Sequence, residues 1–238
     1  MMLSCIAFVV VCVLAGLAYW YDFEKRVDSY CASKSWAQCS LLVRDEFSLR
    51  WPFVGALRAD QGSPAVLLQN YFEDLTGGHA GSSLVQSDHL TPNTTEPSAA
   101  AITVISERAR FYESQWHFSH LSEAYIRCAV GLYRKRAKAA LLRVAADKPA
   151  AAESLSDLAK ALRHLAELYQ AHGKYLIAER ALKECTDVAT QAFALADQKN
   201  AERFRAEVLV DYGAHIKILN DLGRTPEAEH ESKLLLEQ

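Results

Sequence analysis

The 238-residue sequence contains only ten Gly and six Pro, and it lacks the glycine-rich motifs of several enzyme classes. It has no Gly-x-Ser-x-Gly, P-loop, dinucleotide-binding glycine pattern or His-Glu-x-x-His. The net charge is −3, and no Lys/Arg cluster is interleaved with aromatic residues, so nucleic-acid binding has no support. We therefore expect a protein that is not an enzyme, needs no cofactor and binds no nucleic acid.

Cys-x-x-Cys pairs are also missing, which argues against a structural zinc site. The six cysteines are scattered, and those inside apolar helical patterns behave as small hydrophobic residues. Cys31 and Cys39 are separated by seven residues. A disulfide between them requires the chain to turn within that interval, which leaves their pairing open.

Charged residues are absent from Met2 to Tyr21, a largely apolar run that ends in Tyr19-Trp20-Tyr21. As a helix this run would be roughly 30 Å long, the thickness of the hydrocarbon core of a bilayer. Aromatic residues favour the membrane interface. We therefore predict a single transmembrane helix at 1–21, with residues 2–21 in contact with the lipid bilayer. A signal peptide cleaved near Gly16-Leu17-Ala18 is the alternative, but no Lys or Arg precedes the run.

Basic residues flank only the C-terminal end of this run, at Lys25, Arg26 and Lys34. The positive-inside rule then leaves the long C-terminal part on the cytoplasmic or matrix side. The expected location is a single-pass position in an organelle membrane, with the mitochondrial inner membrane favoured, or in a bacterial plasma membrane.

Beyond the anchor, composition suggests three segments. Residues 22–60 form a juxtamembrane segment of mixed charge. Residues 61–105 contain no Lys or Arg and several Gly- and Pro-containing stretches, which is typical of a linker, interrupted by a short apolar helix near Pro64–Leu75. Residues 106–238 show apolar positions at helical spacing and form the helical domain. The predicted fold class is therefore all-α.

Two apolar helical runs within this domain are separated by Gly173. The first runs from Leu155 to Tyr169 and the second from Tyr175 to Ala189. Such a pair predicts two antiparallel helices joined by a tight turn, a hairpin that needs stacked neighbours to bury its faces. A non-repeat helical bundle is the alternative.

The hairpin resembles a tetratricopeptide repeat in its spacing of large, small and aromatic residues: Leu162, Leu165, Ala166, Tyr169, Gly173, Tyr175 and Ala178. The resemblance implies that Ala166 and Ala178 are small because the helices approach closely there, and that both tyrosines are buried. Gly223 and Ala228 repeat the offset of Gly173 and Ala178, while Gly131 is a weaker third match. The spacing exceeds that of ordinary repeats and is similar to the longer repeats of kinesin light chains, which makes an α-solenoid the expected architecture.

In that family the first helix of each hairpin lines a groove that binds partner proteins. Carried over residue by residue, the resemblance implies a groove lined by Lys160, Arg163, His164, Glu167, Gln170, Lys217 and Asn220. Some family members clamp the carboxylate at a partner's C-terminus. Glu167 stands where that clamp needs Asn, and its negative charge would repel such a ligand.

His117 and His120, with Glu113 and Glu123, could face one side of a helix as metal ligands. The same segment carries Trp116, Phe118 and Leu121, so ordinary packing explains it better and no metal site is predicted. The expected function is a non-catalytic scaffold: an accessory subunit or assembly factor that binds the other protein subunits of a membrane complex. The alternatives are an adaptor that recruits a soluble client or chaperone through the groove, and a metalloprotein.

Overall fold

The computed structural model describes residues 2–42, 64–76, 98–116 and 119–236, apart from the side chains of 2–7, 20, 65, 115 and 116. Every regular element among these residues is helical, which confirms the predicted all-α fold. The helices are α1 (Met2–Ala32), α2 (Pro64–Thr76), α3 (Ala99–Phe111), a π-helix (Tyr112–Trp116), α4 (Ser119–Leu142), α5 (Lys148–Ala171), α6 (Tyr175–Leu195), α7 (Ala201–Asp221) and α8 (Thr225–Leu236). Residues 36–42 are also helical.

The chain forms two compact units. The first comprises Met1–Leu90 with Glu107–Tyr125, and the second comprises Thr91–Ser106 with Ile126–Gln238. Parts of the predicted juxtamembrane segment and linker lie outside the described residues. Within the linker, the short apolar helix predicted near Pro64–Leu75 is confirmed as α2.

Helix α1 is continuous from Met2 to Ala32, so the predicted helix over 2–21 is confirmed and extends beyond Tyr21. Its first half exposes large apolar side chains, with Phe8 70% and Leu17 56% exposed. In its second half, by contrast, the side chains of Phe23, Glu24 and Val27 are buried. Among the helices of the described residues, none has both the length and the apolar character that crossing a membrane requires.

The buried end of α1 is held by hydrogen bonds that reach distant parts of the first unit. The Tyr112 hydroxyl donates to Glu24 Oε1 at 2.7 Å and accepts from Arg108 Nη1 at 3.1 Å. Asp28 Oδ1 accepts from the backbone N–H of Leu121 at 2.8 Å, which satisfies an amide in the first turn of α4. These bonds give the polar residues of α1 partners within the core.

Residues 36–42 contact α2 in the same unit. The Trp36 ring stacks on Phe72 at 6.2 Å between centroids, and Phe72 is fully buried. The Ser40 hydroxyl donates to Glu73 Oε1 at 3.1 Å. The corner that follows α1 is therefore part of the core of the first unit.

In the second unit α5 and α6 form the predicted hairpin. Gly173 lies between them with φ +70°, a conformation that favours glycine. The Lys174 N–H donates to the Tyr169 carbonyl at 2.8 Å, and the Gly173 N–H donates to the Gln170 carbonyl at 2.9 Å. This pair of bonds is a Schellman motif. Because Cys185 of α6 also reaches the Ala159 carbonyl of α5, the two helices are antiparallel.

Most of the hairpin residues that match the tetratricopeptide spacing are buried. Ala166 and Ala178 are both completely buried, as expected where two helices approach closely. The larger residues of the same face are at most 2% exposed: Leu162, Leu165 and Tyr169. The prediction that Tyr175 is buried is wrong, since 45% of this residue is exposed. Tyr175 is the first residue of α6, and its side chain lies outside the packed face.

The turn between α7 and α8 repeats the geometry of the first. Gly223 has φ +72°, and the Arg224 N–H donates to the Leu219 carbonyl at 2.9 Å. Ala228 is 2% exposed, matching Ala178. The proposed third match at Gly131 is wrong, because this residue is buried within α4 and no turn occurs there.

Candidate partner-binding face

The predicted groove residues fall mainly on α5 and α7, which lie side by side. Ser156 donates from its hydroxyl to Glu207 Oε2 at 2.6 Å, and Lys160 Nζ lies 3.0 Å from Glu207 Oε1. Arg203 forms an ion pair with Glu153 at the N-terminal ends of the two helices. Because the bonded positions advance together along both helices, α5 and α7 run in the same direction.

Arg163 and Asp211 form the most buried contact between these helices. Arg163 Nη1 donates to Asp211 Oδ1 at 2.8 Å, and the Asp211 side chain is only 2% exposed. Burial raises the pKa of Asp211 to about 6, although the positive charge of Arg163 acts in the opposite direction. The contact therefore holds a carboxyl group in the core that protonates at mildly acidic pH.

The thiol of Cys185 lies in the same interior. Burial is the main cause that raises its pKa, so the thiol remains neutral at neutral pH. Cys185 Sγ donates to the Ala159 carbonyl at 3.1 Å. This cysteine is a packed hydrogen-bond donor and not an activated nucleophile.

A second polar cluster joins α6, α7 and α8. His215 is 2% exposed, and its Nε2 lies 3.6 Å from Glu179 Oε1, while its Nδ1 lies 3.9 Å from Glu231 Oε1. Arg224 Nη1 lies 3.3 Å from the same oxygen of Glu179. Neither Glu179 nor His215 was among the residues predicted from the sequence. The sequence feature that could have identified them is an ionisable residue within an apolar helical run, such as Glu179 directly after Ala178.

The predicted groove residues therefore fall into two groups, one paired or buried within the chain and one accessible. Lys160 and Arg163 already pair with acidic residues of α7, so their charges are engaged within the chain. The placement of His164 on the groove surface is wrong, because this residue is 5% exposed and packs in the core.

Nearer the turns, the remaining predicted residues are accessible. Glu167, Lys217 and Asn220 are exposed, and Gln170 is partly exposed. All four residues lie in the last two turns of α5 or α7, which run side by side in the same direction. We call this set the distal patch. It contains one acidic, one basic and two amide side chains, a composition suited to hydrogen bonding with another protein surface.

Of the two histidines considered as metal ligands, His117 lies outside the described residues and His120 is exposed. Within the part of the chain that the structure describes, no group of three or more His, Cys, Asp or Glu residues could hold a metal ion.

No protein family model matches the chain, and no curated protein shows significant similarity to it.

Proposed function

We propose that the chain is a non-catalytic, membrane-anchored scaffold that acts as an accessory subunit or assembly factor of a membrane protein complex. The observation that carries the proposal is the exposure of large apolar side chains in the first half of α1. Phe8, Val11 and Leu14 are each more than half exposed, and the helix continues without interruption into the buried core of the first unit. An exposed apolar helix of this kind is stable only when lipid or protein covers it.

Two features support protein binding by the second unit. The hairpin turns at Gly173 and Gly223 share their backbone hydrogen bonds and their buried alanines, a repetition typical of tetratricopeptide-like helical hairpins. The residues of the distal patch add accessible polar side chains. Because Lys160 and Arg163 are engaged by Glu207 and Asp211, a basic groove for an acidic peptide has less support, and the scaffold is preferred over the adaptor.

Membrane anchoring is tested with two matched substitutions on α1. Leu14→Arg places a charge at the centre of the apolar run, where insertion costs about 2.5–3.5 kcal/mol. Ser29→Arg places the same charge on an exposed position of the same helix, beyond the run. We expect the parent chain and Ser29→Arg to resist alkaline carbonate extraction of membranes, whereas Leu14→Arg is released. Release of the parent chain would contradict the anchor.

Partner binding is tested with a second matched pair. Lys217→Glu reverses a charge in the distal patch, and Lys199→Glu makes the same change on the exposed loop between α6 and α7. After detergent extraction and native sizing, we expect the parent and Lys199→Glu to migrate within a larger complex, and Lys217→Glu to dissociate from it. A parent chain that runs alone but captures a soluble chaperone would favour the adaptor. Identical behaviour of all three would exclude the distal patch as the contact.

A further inference from the structure

Two buried thiols meet at the corner that follows α1. Cys31 Sγ lies 3.8 Å from Cys39 Sγ, and the residues are 6% and 0% exposed. A disulfide has about 2.05 Å between its sulfurs, so the two thiols are reduced here and in van der Waals contact.

The local backbone holds this approach in place. Lys34 lies in the turn after α1 with φ 55°, and the Ser35 N–H donates to the Tyr30 carbonyl at 2.8 Å. The Cys39 N–H donates to the Ser35 carbonyl at 3.2 Å and opens the helical residues 36–42. Both cysteines therefore belong to hydrogen-bonded helical backbone on either side of a tight turn. Their juxtaposition follows from this corner and does not depend on contacts far along the chain.

The corner also connects two parts of the first unit. Its second half carries Trp36, which stacks on Phe72, and Ser40, which bonds to Glu73. A covalent link between the cysteines would tie α1 to the segment that packs on α2. It would also remove conformations from the unfolded chain, which is the usual origin of disulfide stabilisation.

We propose that Cys31 and Cys39 are a dithiol–disulfide pair, oxidised by exchange with a disulfide donor such as glutathione disulfide or a protein disulfide oxidoreductase. The Cys31 thiolate attacks the donor disulfide, forming a mixed disulfide and releasing one thiol. The Cys39 thiolate then attacks the Cys31 sulfur, forming the intramolecular bond and releasing the second donor thiol. Each attacking sulfur loses a proton and each leaving sulfur gains one, so two protein thiols become one disulfide and the donor is reduced to two thiols.

The surroundings make this exchange slow in the folded state. The hydrogen-bonding contact with Cys39, together with burial and the nearby carboxylates of Asp28 and Glu123, raises the pKa of Cys31. Cys31 is therefore protonated at neutral pH in the reduced chain. Oxidation requires local opening of the corner or a protein catalyst, and the bond is protected from external thiols once it has formed.

Lys34 lies between the two cysteines and makes the test direct. The purified full chain in detergent is incubated with glutathione disulfide and a protein disulfide oxidoreductase as catalyst. It is then quenched with acid, denatured, alkylated with N-ethylmaleimide and digested with trypsin. Cleavage after Lys34 separates the peptides 27–34 and 35–44, each with one cysteine. We expect a linked pair of these peptides that reduction splits, while the Cys185 peptide remains alkylated. Alkylation of both peptides, or a separate glutathione adduct on each, would overturn the proposal.

A stability measurement provides an independent readout. The oxidised parent chain should melt several degrees above the reduced chain when tryptophan fluorescence is followed. Cys39→Ser should lose this difference between redox conditions, because Cys31 can then proceed no further than a mixed disulfide. Cys12→Ser, at an exposed position of α1, should retain the difference. Equal melting of the oxidised and reduced parent, or an unchanged shift in Cys39→Ser, would also overturn it.

Discussion

Two identical substitutions, Gly173→Ala and Gly213→Ala, are expected to change stability in opposite directions. Gly173 lies in the turn between α5 and α6 with φ +70°, whereas Gly213 lies within α7. An added Cβ would have nothing within 4 Å at either position. Because neither methyl group collides with a neighbour, the difference between the two variants isolates the backbone conformation.

The magnitudes follow from that conformation. A left-handed backbone costs an L-residue roughly 1–2 kcal/mol, so Gly173→Ala should lower the free energy of unfolding by about 1 kcal/mol. Alanine in a helix interior is more stable than glycine by about 0.5–1 kcal/mol, so Gly213→Ala should raise it by that amount. The two variants should therefore differ by about 2 kcal/mol, which separates their melting temperatures by several degrees.

The assay must report on the second unit. The tryptophans are Trp20, Trp36, Trp51 and Trp116, so none lies within α4–α8 and fluorescence is unsuitable. Thermal unfolding is better followed by circular dichroism at 222 nm, with hydrogen exchange of α5–α7 peptides to locate the change. No effect at Gly173 would refute the turn geometry, and destabilisation at Gly213 would refute the reasoning about the helix interior.

Three further results are expected. Ala178→Leu overfills the closest approach of α5 and α6 and should cost about 1–3 kcal/mol, whereas Ala206→Leu on the exposed side of α7 should be nearly neutral; equal melting would place Ala178 in solvent. Because burial raises the pKa of Asp211 to about 6, the folded chain binds this proton more tightly than the unfolded chain. As the pH rises from 4 to 7, the free energy of unfolding of the parent should fall by about 2 kcal/mol relative to that of Asp211→Asn. A difference between the two free energies of unfolding that stays constant with pH would contradict this. Tyr112→Phe removes a hydrogen bond from buried Glu24 and should lower the stability of the first unit by about 1–3 kcal/mol, measured by tryptophan fluorescence; an unchanged midpoint would argue against the bond.

Local sequence signals were sufficient for the helices and the hairpin turn. Apolar spacing selected the buried face of α5, and a glycine between two such runs predicted a tight turn at Gly173. Ala166 and Ala178 were singled out by the resemblance to a tetratricopeptide repeat, and both are completely buried. The helices and the turn depend on residues near one another in the chain, which is why apolar periodicity and a single glycine predict them.

The candidate site depended on contacts that periodicity does not encode. Helical spacing assigned Lys160 and Arg163 to one side of α5, but only the tertiary structure brought Glu207 and Asp211 of α7 against them. His164 was placed on the surface for the same reason, but it is buried. A polar residue at the edge of an apolar helix face can pack inward or outward, and the neighbouring helix decides which.

The two cysteines at the end of α1 show where local and tertiary information meet. Their spacing allowed a disulfide only if the chain turned between them, and the sequence offered no Gly or Pro to mark that turn. The structure places the turn at Lys34, a non-glycine residue with φ 55°, and brings the thiols together. The sequence by itself determined the helical class, the apolar N-terminal run and the tight turn at Gly173, because each follows from residues close together in the chain. Only the tertiary structure decided which charges pair, because those contacts depend on how separate helices pack. It also decided which thiols meet, because no Gly or Pro in the sequence marks the turn at Lys34.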